Sequence, residues 1–194
     1  MTTMTSHALR MSLEEWAALP EDEPGELVDG VLTEEEMPGP VHERIVTWLT
    51  TRLCSWGDER GVLMLGSNAK LRVSPTRGRM PDLSVYLPDA PWPTRDPLIR
   101  VPPAIAVEII SSTPRDARRD RVDKLGEYAS FGVRWYWLVD PQTRIFEIRE
   151  LGPDGRYVSA VALAGGQLDA VPGCAGLVLD MDALWAAIDA IADA

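Results

Sequence analysis

Lysine is scarce in this chain. Of its 19 Lys and Arg residues, only Lys70 and Lys124 are lysines. A composition that uses arginine almost everywhere keeps lysine where a compact, titratable ammonium is needed. Positive charge is scarce as well, because 30 acidic residues give a net charge of −11. This excess of negative charge argues against a nucleic-acid partner.

Cysteine and long apolar runs are also rare. Cys54 and Cys174 lack the spacing of a metal site, so we expect free thiols and a reducing, cytoplasmic location. No apolar run approaches the ~20 residues of a membrane span. The first ten residues lack the apolar core of a signal peptide. These absences argue against a membrane partner.

Length and composition indicate one globular domain. The 194 residues are 45% hydrophobic and 25% charged, which are ordinary globular values. We expect a flexible N-terminus over residues 1–11 and a single domain over 12–194. Helical spacing and capping signals predict helices, whereas β-like runs and turn signals predict strands and hairpins. The main predicted helices cover 41–60, 115–131 and 181–192. The main predicted strands cover 62–66, 69–74, 82–87, 104–111, 135–140, 145–151 and 157–163, and residues 26–32 are predicted to form a hairpin that turns at Asp29-Gly30. The Pro-rich stretch 88–103 is predicted to be a surface loop.

Two carboxylates mark the candidate site. Asp82 follows Pro81 at the start of one strand, and Glu108 lies within an apolar run that is typical of a buried central strand. A buried carboxylate is costly unless it is paired, and a metal ion is a common partner. Two carboxylates on adjacent strands suit Mg²⁺, which prefers oxygen ligands and keeps several waters.

Two further residues join the candidate site. Lys124 lies one helix after the Glu108 strand, so its amine could reach the strand end and orient or deprotonate a water. Glu26 precedes a hairpin and could supply a third acidic group.

Each of these residues also has a structural interpretation. Asp82 could begin a strand or turn, and Glu108 could form a buried salt bridge with an arginine. Lys124 could pair with Asp120 at i, i+4. Glu26 could simply flank its hairpin, and His42 could be a surface or packing residue.

The ordered set of motifs resembles the Uma-two family of putative restriction endonucleases, within the PD-(D/E)XK nuclease superfamily. The likeness covers roughly residues 12–190. The residues that carry it are Glu26-Leu27-Val28-Asp29-Gly30, His42, Pro81-Asp82, Val107-Glu108-Ile109-Ile110-Ser111, Asp120-Arg121-Val122-Asp123-Lys124, Tyr128, Gly132-Val133 and Tyr136-Trp137-Leu138-Val139-Asp140-Pro141.

The resemblance implies an α/β (α+β) fold with a restriction-endonuclease-like mixed central sheet flanked by helices. It implies an endonuclease that hydrolyses DNA with Mg²⁺ or Mn²⁺, in which Asp82, Glu108 and the Ile109 carbonyl bind metal and Glu26 is an accessory acid. The superfamily pattern places its lysine where this chain has Ile110, whereas the family places it on the next helix, as Lys124. A catalytically inactive module that binds metal or nucleic acid with the same fold is the alternative function.

The local charge and the expected reaction indicate which partners this chain could bind. Residues 70–124 hold eleven basic and seven acidic residues, a net charge of +4, whereas the rest of the chain is −15. This basic segment contains most of the candidate site, so DNA stays a candidate partner despite the acidic total. Arg115, Arg118, Arg119 and Arg121 could contact phosphate or pair with acids on their own helix face. A homodimer fits an enzyme that cuts both strands, because two sites are then available.

Overall fold

The structure, a computed structural model, describes residues 10–20, 23, 25–33, 38–113 and 117–191. The flexible N-terminus expected over 1–11 lies almost entirely outside the described residues. The α-helices are α1 (Leu13–Ala17), α2 (Pro40–Gly57), α3 (Lys124–Phe131) and α4 (Met181–Asp189). The strands are β1 (Glu26–Val28), β2 (Val31–Thr33), β3 (Leu63–Leu65), β4 (Lys70–Arg72), β5 (Gly78–Arg79), β6 (Leu83–Tyr86), β7 (Leu98–Ile99), β8 (Ile105–Ile109), β9 (Trp135–Asp140), β10 (Ile145–Leu151), β11 (Tyr157–Leu163), β12 (Gln167–Leu168) and β13 (Leu179–Asp180).

A six-stranded mixed sheet forms the centre of the fold, in the order β11-β10-β9-β8-β6-β3. Strands β8 and β9 pair in parallel, and the other neighbours are antiparallel. Every residue of β6, β8 and β9 is buried, as expected for strands covered on both faces. The predicted mixed central sheet flanked by helices is confirmed.

The two faces of this sheet carry different helices. Side chains alternate along β8, so Val107 packs with α2 while Ala106 packs with Tyr128 of α3. Glu108 alternates with Val107 and therefore faces the α3 side. Trp137 is fully buried in the core.

A second, smaller sheet has the order β2-β1-β5-β4-β7. Its β1–β2 hairpin turns at Asp29 and Gly30, whose φ values are 51° and 81°. Positive φ at both central residues matches a tight two-residue hairpin, and Asp-Gly favours it. This hairpin fixes Glu26, the first residue of β1, in a buried position.

The helix predicted over 115–131 is not a continuous α-helix. Residues 114–116 lie outside the described part, and Arg119–Asp123 form a π-helical turn before α3 begins. A π-turn adds one residue to the helical turn and is frequent at functional sites. Here it carries two buried ionisable side chains, Asp120 within the turn and Lys124 directly after it.

Other boundaries differ more modestly from expectation. The helix predicted over 41–60 is α2 followed by a 3₁₀ turn at Asp58–Arg60. The Pro-rich stretch 88–103 includes the short strand β7, which pairs in parallel with β4 and is buried. Short strands lack enough residues to show a period, so the sequence pattern did not reveal it. Within the described residues, no helix is both long and apolar enough to cross a membrane.

Close packing around Gly78 provides a test of the second sheet. An added Cβ there would lie 2.2 Å from Cζ3 of the fully buried Trp16. We expect Gly78→Ala to lower the free energy of unfolding by about 1–3 kcal/mol, because the buried ring must shift. Gly126→Ala in α3 is the matched control. Its Cβ would meet nothing within 4 Å, so it should raise stability by about 0.5–1 kcal/mol. Urea unfolding measures both, and two changes of the same sign would contradict this packing.

Candidate active site

One buried ammonium lies among three carboxylates. Lys124 Nζ is 2.9 Å from Glu108 Oε2, 3.1 Å from Glu26 Oε1 and 3.2 Å from Asp120 Oδ1. All four residues are buried, and Lys124 is only 1% exposed. The expected proximity of Lys124 to Glu108 and its i, i+4 pairing with Asp120 are therefore present together. We call these four residues the lysine cluster.

The four residues of the lysine cluster come from different secondary-structure elements. Glu26 begins β1 of the small sheet, and Glu108 lies in β8 of the central sheet. Asp120 comes from the π-turn and Lys124 from the first residue of α3. Glu26 is therefore more than the flank of a hairpin, because its side chain joins the two sheets at one site.

Glu26 is held as a carboxylate by several donors. Arg79 donates from Nη1 to Glu26 Oε2 at 2.5 Å, and the Met80 backbone N–H donates to Oε1 at 3.2 Å. Burial would raise the pKa of Glu26, but the charges of Lys124, Arg79 and Arg119 outweigh it and lower the pKa to about 2. Glu26 is therefore ionised at neutral pH.

Glu108 has the opposite balance. Burial raises its pKa well above the ordinary range, and although Lys124 opposes this, the neighbouring charges of Asp120, Asp82 and Glu26 raise it further. Tyr128 donates its hydroxyl to Glu108 Oε1 at 2.7 Å, which orients the carboxyl group. The positive charge of Lys124 therefore does not offset burial and the three neighbouring acidic groups at Glu108. The salt bridge weighed in the sequence interpretation exists, with lysine as the partner.

Asp82 lies at the more exposed edge of the same site. Leu83 pairs with Val107, so extending the antiparallel register by one residue places Asp82 opposite Glu108. Asp82 Oδ2 accepts the Ile109 backbone N–H at 2.7 Å. Its side chain is 14% exposed, compared with 0% for Glu26 and about 5% for Glu108 and Asp120. Asp82 is therefore the most solvent-accessible of these four carboxylates.

His42 touches this site from α2. Its Nε2 is 2.9 Å from Asp82 Oδ1, and its ring is partly buried. Burial lowers the pKa of His42, but the bond to Asp82 and the charges of Asp82 and Glu43 outweigh it and raise the pKa. His42 thus fixes the orientation of Asp82. The sequence had left open whether His42 is a surface residue, a packing residue or part of the site.

A second layer of ion pairs surrounds Glu26. Arg79 binds Glu127 through Nε at 2.5 Å and Nη2 at 2.9 Å, and Arg77 Nη1 binds the same carboxylate at 2.5 Å. Arg77 also binds Asp29 in the β1–β2 turn. These contacts link the hairpin, β5 and α3. The sequence gave no signal for Arg79 or Glu127, because only the tertiary fold brings them together.

The charges of the lysine cluster decide the protonation of Lys124. Burial lowers its pKa, yet Glu108, Glu26 and Asp120 together raise it well above the ordinary lysine range. Lys124 is therefore held as an ammonium at neutral pH. The part of the sequence hypothesis that this geometry favours is electrostatic support.

The oxygen donors fit a hard divalent cation. Asp82 and Glu108 are carboxylates on paired strands, and their mutual repulsion contributes to the raised pKa of Glu108. Among the residues described, no group of three or more His, Cys, Asp or Glu is arranged to hold a metal. Mg²⁺ commonly takes one or two protein carboxylates, with waters and substrate phosphate completing its shell. The donor set therefore suits Mg²⁺, and the Ile109 carbonyl as a third ligand stays a prediction.

Comparisons with known proteins agree with this fold. The family model Uma2, described as "Putative restriction endonuclease", matches residues 12–182. A crystal structure of a protein from Anabaena variabilis ATCC 29413, described as "a putative nuclease belonging to DUF820", is similar in structure with a TM-score of 0.73. The two chains are 18% identical over 92% of this chain and 99% of the other. At this identity the likeness shows the fold alone. No curated protein is significantly similar in sequence.

Removing the ammonium and removing one carboxylate should affect stability differently. We expect Lys124→Met to lower the free energy of unfolding by about 3–5 kcal/mol at pH 7, because three buried carboxylates lose their shared partner. Glu108→Gln should lie within about 1 kcal/mol of wild type or be more stable, since Gln keeps an oxygen for Tyr128 and removes a disfavoured charge. Urea unfolding compares them. The cluster would be misassigned if Glu108→Gln were the more damaging change.

The lowered pKa of Glu26 predicts an acid-dependent contribution to stability. A depressed carboxyl pKa stabilises the fold above the unfolded value near 4.5, and this stabilisation is lost as pH falls towards 2. The difference in unfolding free energy between wild type and Glu26→Gln should therefore shrink from pH 5 to pH 2. Glu59→Gln, at an exposed glutamate, is the control for the substitution itself. A constant Glu26 difference across this range would contradict the assignment.

Proposed function

The chain belongs to the Uma2 family, and from this membership and the site geometry we propose that it is a metal-dependent endonuclease that hydrolyses DNA phosphodiester bonds. The single observation that carries the proposal is that Glu108 shares its lysine with two other buried carboxylates and has Asp82 opposite it, directly before the neighbouring strand β6. Glu26, Glu108 and Asp120 share one lysine, and Asp82 lies beside them. Such crowding of negative charge is costly for a purely structural site.

The proposed metal site consists of Asp82 and Glu108. Mg²⁺ or Mn²⁺ bound there would activate a water and offset charge on the phosphate. Asp82 is positioned for this role by His42 on one oxygen and by the Ile109 N–H on the other. Glu108 is oriented by Tyr128 and Lys124.

The other two proposed catalytic residues act through these ligands. Hydrolysis joins a water oxygen to phosphorus and breaks one ester bond, while negative charge grows on the phosphate oxygens. Lys124 is too deeply buried to touch the substrate in this conformation, so it acts as a positioning residue that holds Glu108 and Glu26. Glu26 in turn keeps Lys124 charged. Both therefore set the geometry and potential of the metal ligands.

The relocated lysine supports this assignment. Ile110, where the superfamily pattern has lysine, is buried among apolar residues that include Tyr136 and Leu138. Lys124 brings its amine from the helix to within 2.9 Å of Glu108 instead. The ammonium thus reaches the carboxylate of the β8 strand by another route.

A second candidate function is an inactive binding module with the same fold. The observation that favours it is that Lys124 already occupies two of the carboxylates that a metal would be near, Glu26 and Glu108. In such a module the lysine would take the place of the catalytic cation. Cleavage assays and metal binding together separate this alternative from the enzyme.

The cellular location, the oligomeric state and the type of nucleic acid in this proposal each have separate support. Cys54 and Cys174 are free, which suits a reducing cytoplasm. Strand β11 lies at an edge of the central sheet and has neither charged residues nor proline, so it suits pairing with a second copy in a homodimer. DNA rather than RNA as substrate rests on the family's description as restriction endonucleases.

Plasmid cleavage tests the proposed function. We expect supercoiled DNA to be nicked or linearised with Mg²⁺ or Mn²⁺ and to stay intact with EDTA. Asp82→Asn should reduce the rate at least about 10²-fold, since several kcal/mol of metal-derived stabilisation are lost. Asp154→Asn, on the exposed β10–β11 turn, should cleave like wild type.

Calorimetry with Mn²⁺ provides a readout independent of cleavage. We expect wild type and Asp154→Asn to bind the ion and Asp82→Asn to bind it far more weakly. Mn²⁺ binding by a protein that cleaves neither DNA nor, in a parallel assay, RNA would support the inactive module. Equal Mn²⁺ binding by wild type and Asp82→Asn would refute the metal site.

A further inference from the structure

An arginine-lined pocket lies beside the lysine cluster, on the side of Glu26. It has a volume of about 320 Å³ and is lined by Arg77 and Arg79 from the small sheet and by Arg118 and Arg119 from the helical segment. We call it the arginine pocket. It is separated from Lys124 by a single side chain, because Arg79 contacts Glu26 Oε2 while Lys124 contacts Oε1.

The two arginines from the sheet side are fixed in place. Arg79 is almost fully buried, and its guanidinium binds both Glu26 and Glu127. Arg77 is one-third exposed and is held between Glu127 and Asp29. Guanidinium groups held by carboxylates lose little rotamer freedom on binding a ligand. Arg77 is therefore a preorganised donor at the pocket, whereas the buried Arg79 contributes mainly its charge.

The two arginines from the helical segment differ in their surroundings. Arg119 Nε lies 3.8 Å from Glu26 Oε2, and its side chain is 12% exposed. Arg118 is exposed, and in the described part of the chain it makes no ion pair. Arg121 of the same π-turn faces elsewhere and pairs with Asp140 and Glu147 of the sheet. The segment therefore contains both a structural arginine, Arg121, and an exposed arginine, Arg118, that makes no ion pair with the described residues.

We propose that the arginine pocket binds a backbone phosphate of the DNA substrate, at a nucleotide flanking the bond that is cut. This inference rests on the proposed nuclease function. Guanidinium groups match phosphate oxygens with paired N–H donors, and contacts of this kind fix the register of a protein on DNA without reading its sequence. The pocket thereby explains how a chain of net charge −11 holds a polyanion next to its carboxylates.

Asp123 gives the proposal a second, opposite test. It lines the same pocket at the end of the π-turn and is exposed. Its negative charge would repel a phosphate bound by Arg118. Neutralising Asp123 should therefore strengthen DNA binding, whereas neutralising Arg118 should weaken it. A general loss of folding would weaken binding in both variants.

Binding in EDTA isolates the pocket from catalysis. The probe is a fluorescein-labelled 20-base-pair DNA duplex, titrated with protein at several salt concentrations and followed by anisotropy. We expect Arg118→Gln to weaken binding roughly tenfold and to reduce the slope of log affinity against log salt by about 0.9. Asp123→Asn should bind severalfold more tightly. Arg156→Gln, at an exposed arginine on the β10–β11 turn, is the matched control and should bind like wild type.

Two further arms identify the ligand. Inorganic phosphate, added at constant ionic strength, should compete weakly with the duplex for wild type and less for Arg118→Gln. A duplex RNA of the same length tests whether the pocket selects DNA, and equal affinity for RNA would assign it to backbone phosphate of either nucleic acid. Equal competition by phosphate for wild type and Arg118→Gln would overturn the assignment of the phosphate to this pocket.

The outcomes separate this inference from the nuclease itself. Unchanged affinity and salt slope in Arg118→Gln, with plasmid cleavage intact in wild type, would overturn the pocket and leave the nuclease standing. Opposite effects of Arg118→Gln and Asp123→Asn on binding, without cleavage by wild type under any metal condition, would support the pocket and refute the nuclease. Failure of wild type to bind the duplex would also overturn the pocket.

Discussion

The ammonium of Lys124 is the interaction on which the rest of the structure depends. Removing ionised carboxylates from water costs several kcal/mol each, and only close pairing with additional hydrogen bonds offsets that cost. Glu26, Glu108 and Asp120 all meet this one group, and they arrive from β1, β8 and the π-turn. The positions of the hairpin, the central sheet and the helical segment therefore depend on one another. A displacement of any one element would leave a buried charge without its partner.

The π-turn is the backbone solution to this constraint. A regular α-helix over the same residues would follow a tighter turn, whereas the wider turn at Arg119–Asp123 accommodates two inward ionisable groups, Asp120 and Lys124. With the amine supplied from the helix, position 110 is free to be apolar, and Ile110 packs with Tyr136. Moving the lysine thus extends the apolar cluster beneath α3 while Glu108 keeps its cation.

The sequence predicted those features that local patterns encode. The apolar run around Glu108 indicated a buried strand, because a strand covered on both faces requires apolar residues. Asp29-Gly30 indicated a tight hairpin, because its turn requires positive φ, which these residue types favour. The π-turn and the short strands β5 and β7 were not predicted, since two-residue strands show no period. The pairing of Glu26 with Arg79 could not be predicted either. These two residues are 53 residues apart in the chain, and only the assembled small sheet brings them together.

The distribution of charge explains why we place the proposed metal site at Asp82 and Glu108 rather than elsewhere in the cluster. Glu26 is already matched, since Lys124, Arg79 and Arg119 together hold its pKa near 2. Glu108 shares Lys124 with two competitors and has a raised pKa, so it is the carboxylate that most needs additional positive charge. Asp82 lies opposite it at the exposed edge. Positive charge therefore surrounds Glu26, on the side of the arginine pocket, and is deficient at Glu108. A bound phosphate and a bound cation would each meet the side of the site that complements it.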